Sequence, residues 1–308
     1  MNTLLDEIVA LTRNATTEPT FTEVPGVVIV KGEVPEHQLA AVYVPMIGFT
    51  VQGRKTITIG ARSIDLRGPS YYVIPTDVPA TGRVHTGSPY LSVGLALKES
   101  ALMDLMNDLP GWEHDVPRAG VFAAAPATPG FVDAWVRLLR LLKTPQDIPA
   151  LAPVYEREIL YRVLSGPQGW RLRQVCEMHG RVRGASVSRA IRWLRTNYAE
   201  AMSVETMAER CAMGVTTFHR QFKRITGLSP LQFQKQLRLL EARKRLVHSS
   251  LPVSRVAFDV GYESPSQFNR EYSRFFGAPP ARSRLERAQT GERPSPKVAR
   301  LKVALSVR

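Results

Sequence analysis

With 308 residues, 44% of them hydrophobic, the chain is long enough for two ordinary domains with apolar cores. The formal net charge of +14 is unevenly divided: residues 166–308 hold 27 basic against 10 acidic residues and residues 1–165 hold 14 against 17, so the C-terminal half is the one suited to a polyanion. No apolar run approaches a membrane span, the N-terminus lacks a signal-peptide pattern, and two cysteines form no disulfide framework, so we expect a soluble cytoplasmic protein without a membrane partner.

Residues 21–98 contain short runs of β-branched and aromatic residues between turns that carry Gly and Pro. Many short strands at close spacing predict a barrel or jelly roll. The runs are Val27–Val30, Ala41–Val44, Phe49–Val51, Thr56–Ile59, Tyr71–Ile74 and Leu91–Leu95. Tyr71, Tyr72 and His85 are candidates to face a pocket, although alternation turns one of the two tyrosines outward and packing is the alternative role for each.

The same half offers little for catalysis. A metal site in a barrel needs histidines clustered on adjacent strands, but His37, His85 and His114 are far apart and lack that spacing. The sequence has no Gly-x-Ser-x-Gly nucleophile elbow and no Gly-x-x-x-x-Gly-Lys phosphate loop. We therefore expect neither an enzyme nor a bound metal or cofactor.

Two amphipathic segments after the strands are predicted as helices that either pair two subunits or pack against the barrel. Their apolar positions are Phe131, Trp135, Leu138, Leu139 and Leu142, and Val154, Ile159, Leu160 and Val163. Glycines and a proline then mark residues 166–185 as a linker between domains. Ser186 is expected to cap the helix that follows.

Two stretches of the C-terminal half repeat one another, residues 203–230 and residues 252–280. Each begins with apolar residues at i, i+3, i+4 and i+7, which is one face of a short helix, and each ends with Gly and Pro. The matched positions are Val204, Met207, Ala208 and Cys211, and Val253, Val256, Ala257 and Val260. Each copy therefore predicts a helix-turn-helix, and repetition of the whole pattern argues against a generic helical hairpin.

The second helix of each copy is predicted to bury one face and to offer a polar face to a DNA major groove. The candidate DNA-binding residues are Thr216, His219, Arg220 and Lys223 in the first copy, and Ser266, Gln267, Asn269 and Arg270 in the second. Arg220 and Arg270 each stand two residues after a core phenylalanine, and a guanidinium presents hydrogen-bond donors to base edges. His219 fits either a base or a phosphate.

Between the copies, Ser229 and Pro230 predict the cap and first turn of a long connecting helix with a leucine-rich seam. Its cations either reach phosphates or stay solvated, and they are Lys235, Arg238, Arg243, Lys244 and Arg245. Residues 288–308 are predicted to be a basic, disordered tail.

The pattern from Ser203 to Pro280 resembles the DNA-binding domain of AraC-family transcription regulators. The resemblance implies two recognition helices in successive major-groove segments. It also implies base contacts from Thr216, His219, Arg220, Ser266, Gln267 and Arg270. The sequence departs from the family at Gly214, where Ser or Asn is frequent. Residues 51–60 and 71–80 resemble the cupin-like N-terminal domain that some of these regulators carry.

We thus expect an α+β protein with a cupin-like β-barrel and trailing helices in residues 1–165, a linker, and an all-α double helix-turn-helix domain in residues 186–287. Its expected function is sequence-specific transcription regulation on a double-stranded DNA operator. RNA polymerase, a small-molecule effector and a second copy in a homodimer are the further partners expected, and activation and repression both stay open. The alternatives are a cupin-type metalloenzyme fused to a DNA-binding domain and a DNA-binding dimer without an effector.

Overall fold

The computed structural model describes residues 1–17, 19–32, 39–109, 123–180 and 182–283, and for residues 177–180 and 182–185 the backbone alone. The chain divides into two compact units, Met1–Ala185 and Ser186–Arg308. The predicted tail, residues 288–308, lies outside the described residues, as do His37 and His114. No helix in the described ranges combines the length and the apolar character needed to cross a bilayer.

The N-terminal unit contains two antiparallel sheets. A six-stranded sheet has the order β1-β2-β9-β4-β7-β10, and a four-stranded sheet has the order β3-β8-β5-β6. The strands are β1 Thr20–Phe21, β2 Val27–Lys31, β3 Ala41–Tyr43, β4 Met46–Gln52, β5 Arg54–Ile59, β6 Arg62–Arg67, β7 Ser70–Ile74, β8 Val78–Val84, β9 Leu91–Ala96 and β10 Ala125–Pro126. This arrangement confirms the predicted β domain.

Alternation along the six-stranded sheet separates its two faces. On β4, Ile47, Phe49 and Val51 join a large apolar core together with residues of the surrounding helices. The intervening Gly48 and Thr50 belong to the opposite face, toward the four-stranded sheet. The main core of this unit therefore lies between the six-stranded sheet and the helices. On β4, the face toward the four-stranded sheet carries small and polar residues instead.

The sequence analysis missed the two-residue strands β1 and β10 and four longer elements of this unit. Strand β6 has only two apolar residues, Ile64 and Leu66, and β8 contains Pro79 and Gly82, so neither shows a typical strand composition. Helices α1, Asn2–Leu11, and α2, Glu99–Asn107, are short and lack side-chain caps. Both helices are formed because their apolar faces pack on the core of the unit.

The predicted trailing helices are α3, Pro129–Arg140, and α4, Ile148–Leu164. They are followed by α5, Gly169–Gly180, within the range expected to be a linker. Leu172 and Val175 of α5 lie three residues apart and are buried in the core of the N-terminal unit. Burial of this apolar face outweighs the glycines at the two ends of the segment, which were the reason for predicting a linker.

The C-terminal unit contains helices joined by turns, and no strand, among its described residues. The helices are α6 Val182–Thr196, α7 Val204–Arg210, α8 Val215–Thr226, α9 Pro230–His248, α10 Val253–Asp259 and α11 Pro265–Phe276. The prediction that Ser186 caps α6 is wrong, because α6 begins at Val182 and Ser186 is buried inside it, accepting a hydrogen bond from Arg189 at 3.0 Å. Ser229 does cap α9, in a reciprocal pair with Gln232.

Candidate nucleic-acid interface

Helices α7 and α8 form the first helix-turn-helix unit. Met207 and Ala208 of α7 and Phe218 and Phe222 of α8 are buried, as the apolar spacing predicted. The turn between the helices passes through Ala212, whose φ of 52° lies in the left-handed region. Helix α8 begins at Gly214, which has no side chain to cap the first turn.

Helices α10 and α11 form the second unit in the same way. Val256, Ala257, Phe268 and Tyr272 share one apolar core with residues of α9. The turn here is one residue longer and passes through Gly261 at φ 92°, the position that matches Ala212. Ser264 caps α11 by accepting a hydrogen bond from the backbone N–H of Gln267. The two units are thus built alike, with better turn and cap residues in the second.

The different caps lead to a stability prediction. We expect Gly214→Ser to raise the free energy of unfolding by about 0.5–1 kcal/mol, because serine caps a helix better than glycine and restricts the unfolded chain more. Gly214 has the ordinary φ of −66° and open space where a Cβ would stand. Urea unfolding measures the change.

Gly277→Ser is the matched control for this variant. Gly277 also has open space around a Cβ, but its φ is 71°, so a serine there is strained and should destabilise the protein. Equal effects of the two substitutions would contradict the assignment of Gly214 as a weak cap.

The eight predicted DNA-binding residues lie on the two second helices. Six are exposed, whereas His219 and Gln267 are half-buried. Thr216, His219 and Arg220 on α8 occupy the same helical positions as Ser266, Asn269 and Arg270 on α11. Apart from Gln267, none of the eight side chains hydrogen-bonds or ion-pairs with another residue that the structure describes. These side chains are therefore available to an external ligand.

Gln267 is held by Glu271, a residue that the sequence analysis did not single out. The Gln267 side-chain amide donates to the Glu271 carboxylate at 3.1 Å, which also accepts from Lys235 Nζ and from the Tyr262 hydroxyl, each at 2.9 Å. Burial favours a higher pKa for Glu271, but these three hydrogen bonds lower its pKa below the usual value. The ionised carboxylate thus fixes the orientation of the Gln267 side-chain amide. The amide oxygen of Gln267 stays free to accept a hydrogen bond.

Arg238, on α9, is a structural residue rather than a phosphate ligand. Its guanidinium donates to the carbonyls of Tyr198 at 2.7 Å and Glu200 at 2.9 Å, between α6 and α7, and to the carbonyl of Gly261 at 2.7 Å. Gln234 donates to the same two carbonyls before α7. A Cβ on Gly261 would lie 2.2 Å from the Ala199 carbonyl oxygen. The segment before α7 and the turn between α10 and α11 therefore pack without a gap.

The remaining cations of α9 are also engaged by the protein. Lys235 pairs with Glu271, and Lys244 and Arg245 pair with Glu241 at 3.8 and 3.2 Å. The Arg243 guanidinium lies 4.6 Å from the centre of the Phe276 ring. The sequence analysis expected these side chains either to reach phosphates or to stay solvated. It overlooked the contacts within the protein, because most of them depend on which residues pack beside α9.

The candidates in the N-terminal unit lie apart from one another. Tyr71 and Tyr72 point to opposite faces of β7, yet both are buried, because helix α3 covers the face of Tyr71. The prediction that one tyrosine turns outward therefore holds for direction but not for exposure. The half-buried His85 places Nε2 2.8 Å from the Thr56 hydroxyl. No group of three or more His, Cys, Asp and Glu side chains is placed to hold a metal in the parts of the chain described above.

Two helix-turn-helix units joined by one long helix define a DNA-binding domain, and the antiparallel β domain before it makes this a two-domain protein. Family models agree with this class. Residues 23–171 match the AraC-type transcriptional regulator N-terminus, and residues 207–286 match a helix-turn-helix domain. The chain belongs to the AraC family of transcription regulators.

Curated relatives match part of the chain. The chain is 39% identical over 103 residues to the transcriptional activator RhaS of Escherichia fergusonii, covering 33% of this chain and 37% of that protein. It is 28% identical over 180 residues to the regulator ExsA of Pseudomonas aeruginosa, covering 58% and 62%. The chain thus spans less than two thirds of the length of either relative.

Among solved structures, apo ToxT from Vibrio cholerae shares the fold. The TM-score is 0.51 with 8% identity, over 87% of this chain and 98% of that one. At this identity the likeness supports the two-domain architecture alone.

Proposed function

We propose that the C-terminal unit binds a specific DNA sequence and that the protein regulates transcription. The observation that carries the proposal is the pair of exposed arginines, Arg220 and Arg270. Each stands at the sixth position of its recognition helix and has no partner among the residues that the structure describes. An arginine donates two parallel hydrogen bonds to guanine O6 and N7 in the major groove. Equivalent placement on two units supports contacts of the same kind at two half-sites.

The length of the connecting helix supports placement of both helix-turn-helix units on one side of DNA. Helix α9 has 19 residues, which at 1.5 Å per residue is about 28 Å. Successive major-groove segments on one face of B-DNA are about 34 Å apart. Arg238 ties the segment before α7 to the turn of the second unit, so we expect the two recognition helices to be held at a separation of this order. Gln267, oriented by Glu271, is a further candidate to read an adenine edge.

The test uses Arg270→Ala in the full chain. A sequence preference is first obtained by selection from randomised duplexes, and dissociation constants are then measured at one salt concentration. We expect Arg270→Ala to cost about 1–3 kcal/mol on the selected duplex and to relax the preference at one base position, because a base-reading contact is lost.

Arg274→Ala is the matched control, since Arg274 is also exposed and lies one turn further along α11. It removes the same charge, so it should weaken binding to selected and random duplexes alike. An equal loss on both duplexes for Arg270→Ala would contradict its role as a base reader. Lys235 is unsuited as a phosphate control, because its removal also frees Glu271 and Gln267.

We further propose that the N-terminal unit senses a small molecule rather than catalysing a reaction. Closed β domains of this type bury interior positions that a small ligand reaches. A ligand there changes DNA binding only to the extent that it prefers one arrangement of the protein over another. Contacts with RNA polymerase and self-association into a dimer complete the proposed regulator. Sedimentation of the full chain and its DNA binding with and without effector test this part.

A further inference from the structure

Three buried hydroxyl residues form a row across the inner face of the six-stranded sheet. Thr50 on β4 pairs directly with Ser70 on β7 and with Ser92 on β9. The Thr50 and Ser70 hydroxyl oxygens and the nearby Tyr90 hydroxyl are buried, and none has a hydrogen-bond partner of good geometry among the described residues, although the Tyr90 hydroxyl interacts with the Thr50 and Ser92 side chains. Buried polar groups are nearly always satisfied in folded proteins, so this group of hydroxyls is suited to a further partner.

A lysine of the opposite sheet shares this interior. Lys55 on β5 is only 3% exposed, and the hydroxyls of Tyr43, Tyr72 and Tyr90 are its electrostatic neighbours. Its ammonium lies 5.4 Å from the centre of the Tyr43 ring, and within the described ranges it makes no ion pair. Burial raises the pKa of the Tyr72 and Tyr90 hydroxyls, so both are neutral at physiological pH. Among the described residues, the ammonium charge is thus buried without an anion, which is unfavourable.

Two glycines on the inner face beside these groups leave room for the ends of neighbouring side chains. Gly48 and Gly94 face each other across β4 and β9 in the next row of the sheet. A Cβ on Gly48 would lie 2.2 Å from the Tyr72 ring, and one on Gly94 would lie 2.5 Å from Met46 Cε. The volume above the glycines is therefore filled by the ends of two side chains, which a ligand can displace by rotation, rather than by backbone.

We propose that this interior is the effector site and that its ligand is a small organic monocarboxylate. The carboxylate accepts hydrogen bonds from the Lys55 ammonium and from the hydroxyls of Thr50, Ser70 and Tyr90. One ammonium balances one negative charge, which favours a carboxylate over a phosphate dianion. The inference rests on the proposed sensing role of this unit and names the chemical class that it senses.

The test measures the melting temperature of the full chain with acetate, hexanoate and benzoate, each against its neutral primary amide, with sodium chloride at matched ionic strength. We expect at least one carboxylate to stabilise the wild-type protein more than its amide, because a ligand that binds only the folded state raises the melting temperature. In Lys55→Met the carboxylate should bind at least about tenfold more weakly in calorimetry. Lys55→Met without ligand should melt higher than the wild type, since it removes an unpaired buried charge.

Two further variants separate recognition from folding. Thr50→Val removes a hydroxyl at nearly constant shape. It should weaken binding of the same carboxylate without altering the charge of the site. Lys143→Met removes an exposed lysine of the same unit and should respond like the wild type. If no carboxylate exceeds its amide, or if Lys55→Met keeps the full response, the inference is overturned. DNA binding is measured on the same wild-type preparation: intact sequence preference then confines the failure to the ligand site, whereas its absence counts against the proposed function.

Discussion

Replacing Phe268 by alanine should lower the free energy of unfolding of the C-terminal unit by about 3–5 kcal/mol. The Phe268 side chain is 0% exposed and lies at the centre of the second helix-turn-helix core. Its ring packs against those of Tyr262 at 5.2 Å and Tyr272 at 5.4 Å between centroids. Alanine leaves a cavity that the short helices α10 and α11 cannot close, and α11 carries Arg270.

The measurement is urea unfolding monitored by hydrogen exchange. Hydrogen exchange reports on α10 and α11 separately from the N-terminal unit. Phe258→Ala is the control, because Phe258 lies on α10 and is 52% exposed. It should change stability by no more than about 0.5 kcal/mol. A large loss for Phe258→Ala, or a small one for Phe268→Ala, would show that the second unit is not built around Phe268.

Replacing Arg238 by methionine should cost about 2–4 kcal/mol in the same unit. Hydrogen bonds from a charged donor contribute more than neutral ones. The variant leaves the Gly261 carbonyl without its Arg238 donor, and it leaves the carbonyls of Tyr198 and Glu200 with Gln234 alone. The same change should loosen the spacing of the two recognition helices. We therefore expect a second effect on DNA, beyond the loss of stability.

That effect is read from duplexes whose two half-sites are moved apart by one base pair. The wild-type protein should discriminate strongly against the altered spacing, and Arg238→Met should discriminate less, because its units are no longer fixed to one another. Lys244→Met is the matched control on α9, since the Lys244 ammonium pairs only loosely, at 3.8 Å, with Glu241. Unchanged discrimination by a folded Arg238→Met protein would contradict the role assigned to Arg238.

The sequence by itself determined the elements with strong local patterns. The repeated spacing of apolar residues gave both helix-turn-helix units, and the β-branched runs gave most strands of the β domain. The polar faces of α8 and α11 also followed from periodicity, because burying Phe218 and Phe268 leaves Arg220 and Arg270 on the outside. Local pattern suffices where one helix face or one strand face decides the structure.

The tertiary structure alone decided which polar residues meet. Arg238, Gln234 and Glu271 look like ordinary surface residues in the sequence. Apart from Gln267, four positions before Glu271, their partners lie 9 to 40 positions away along the chain. The same holds for Lys55, which alternation in β5 places inside, opposite a row of hydroxyls contributed by three other strands. Pairing of distant polar groups depends on how elements pack, and periodicity carries no information about the partner. Burial of α5 and of Tyr71 likewise came from neighbouring elements that the local sequence does not specify.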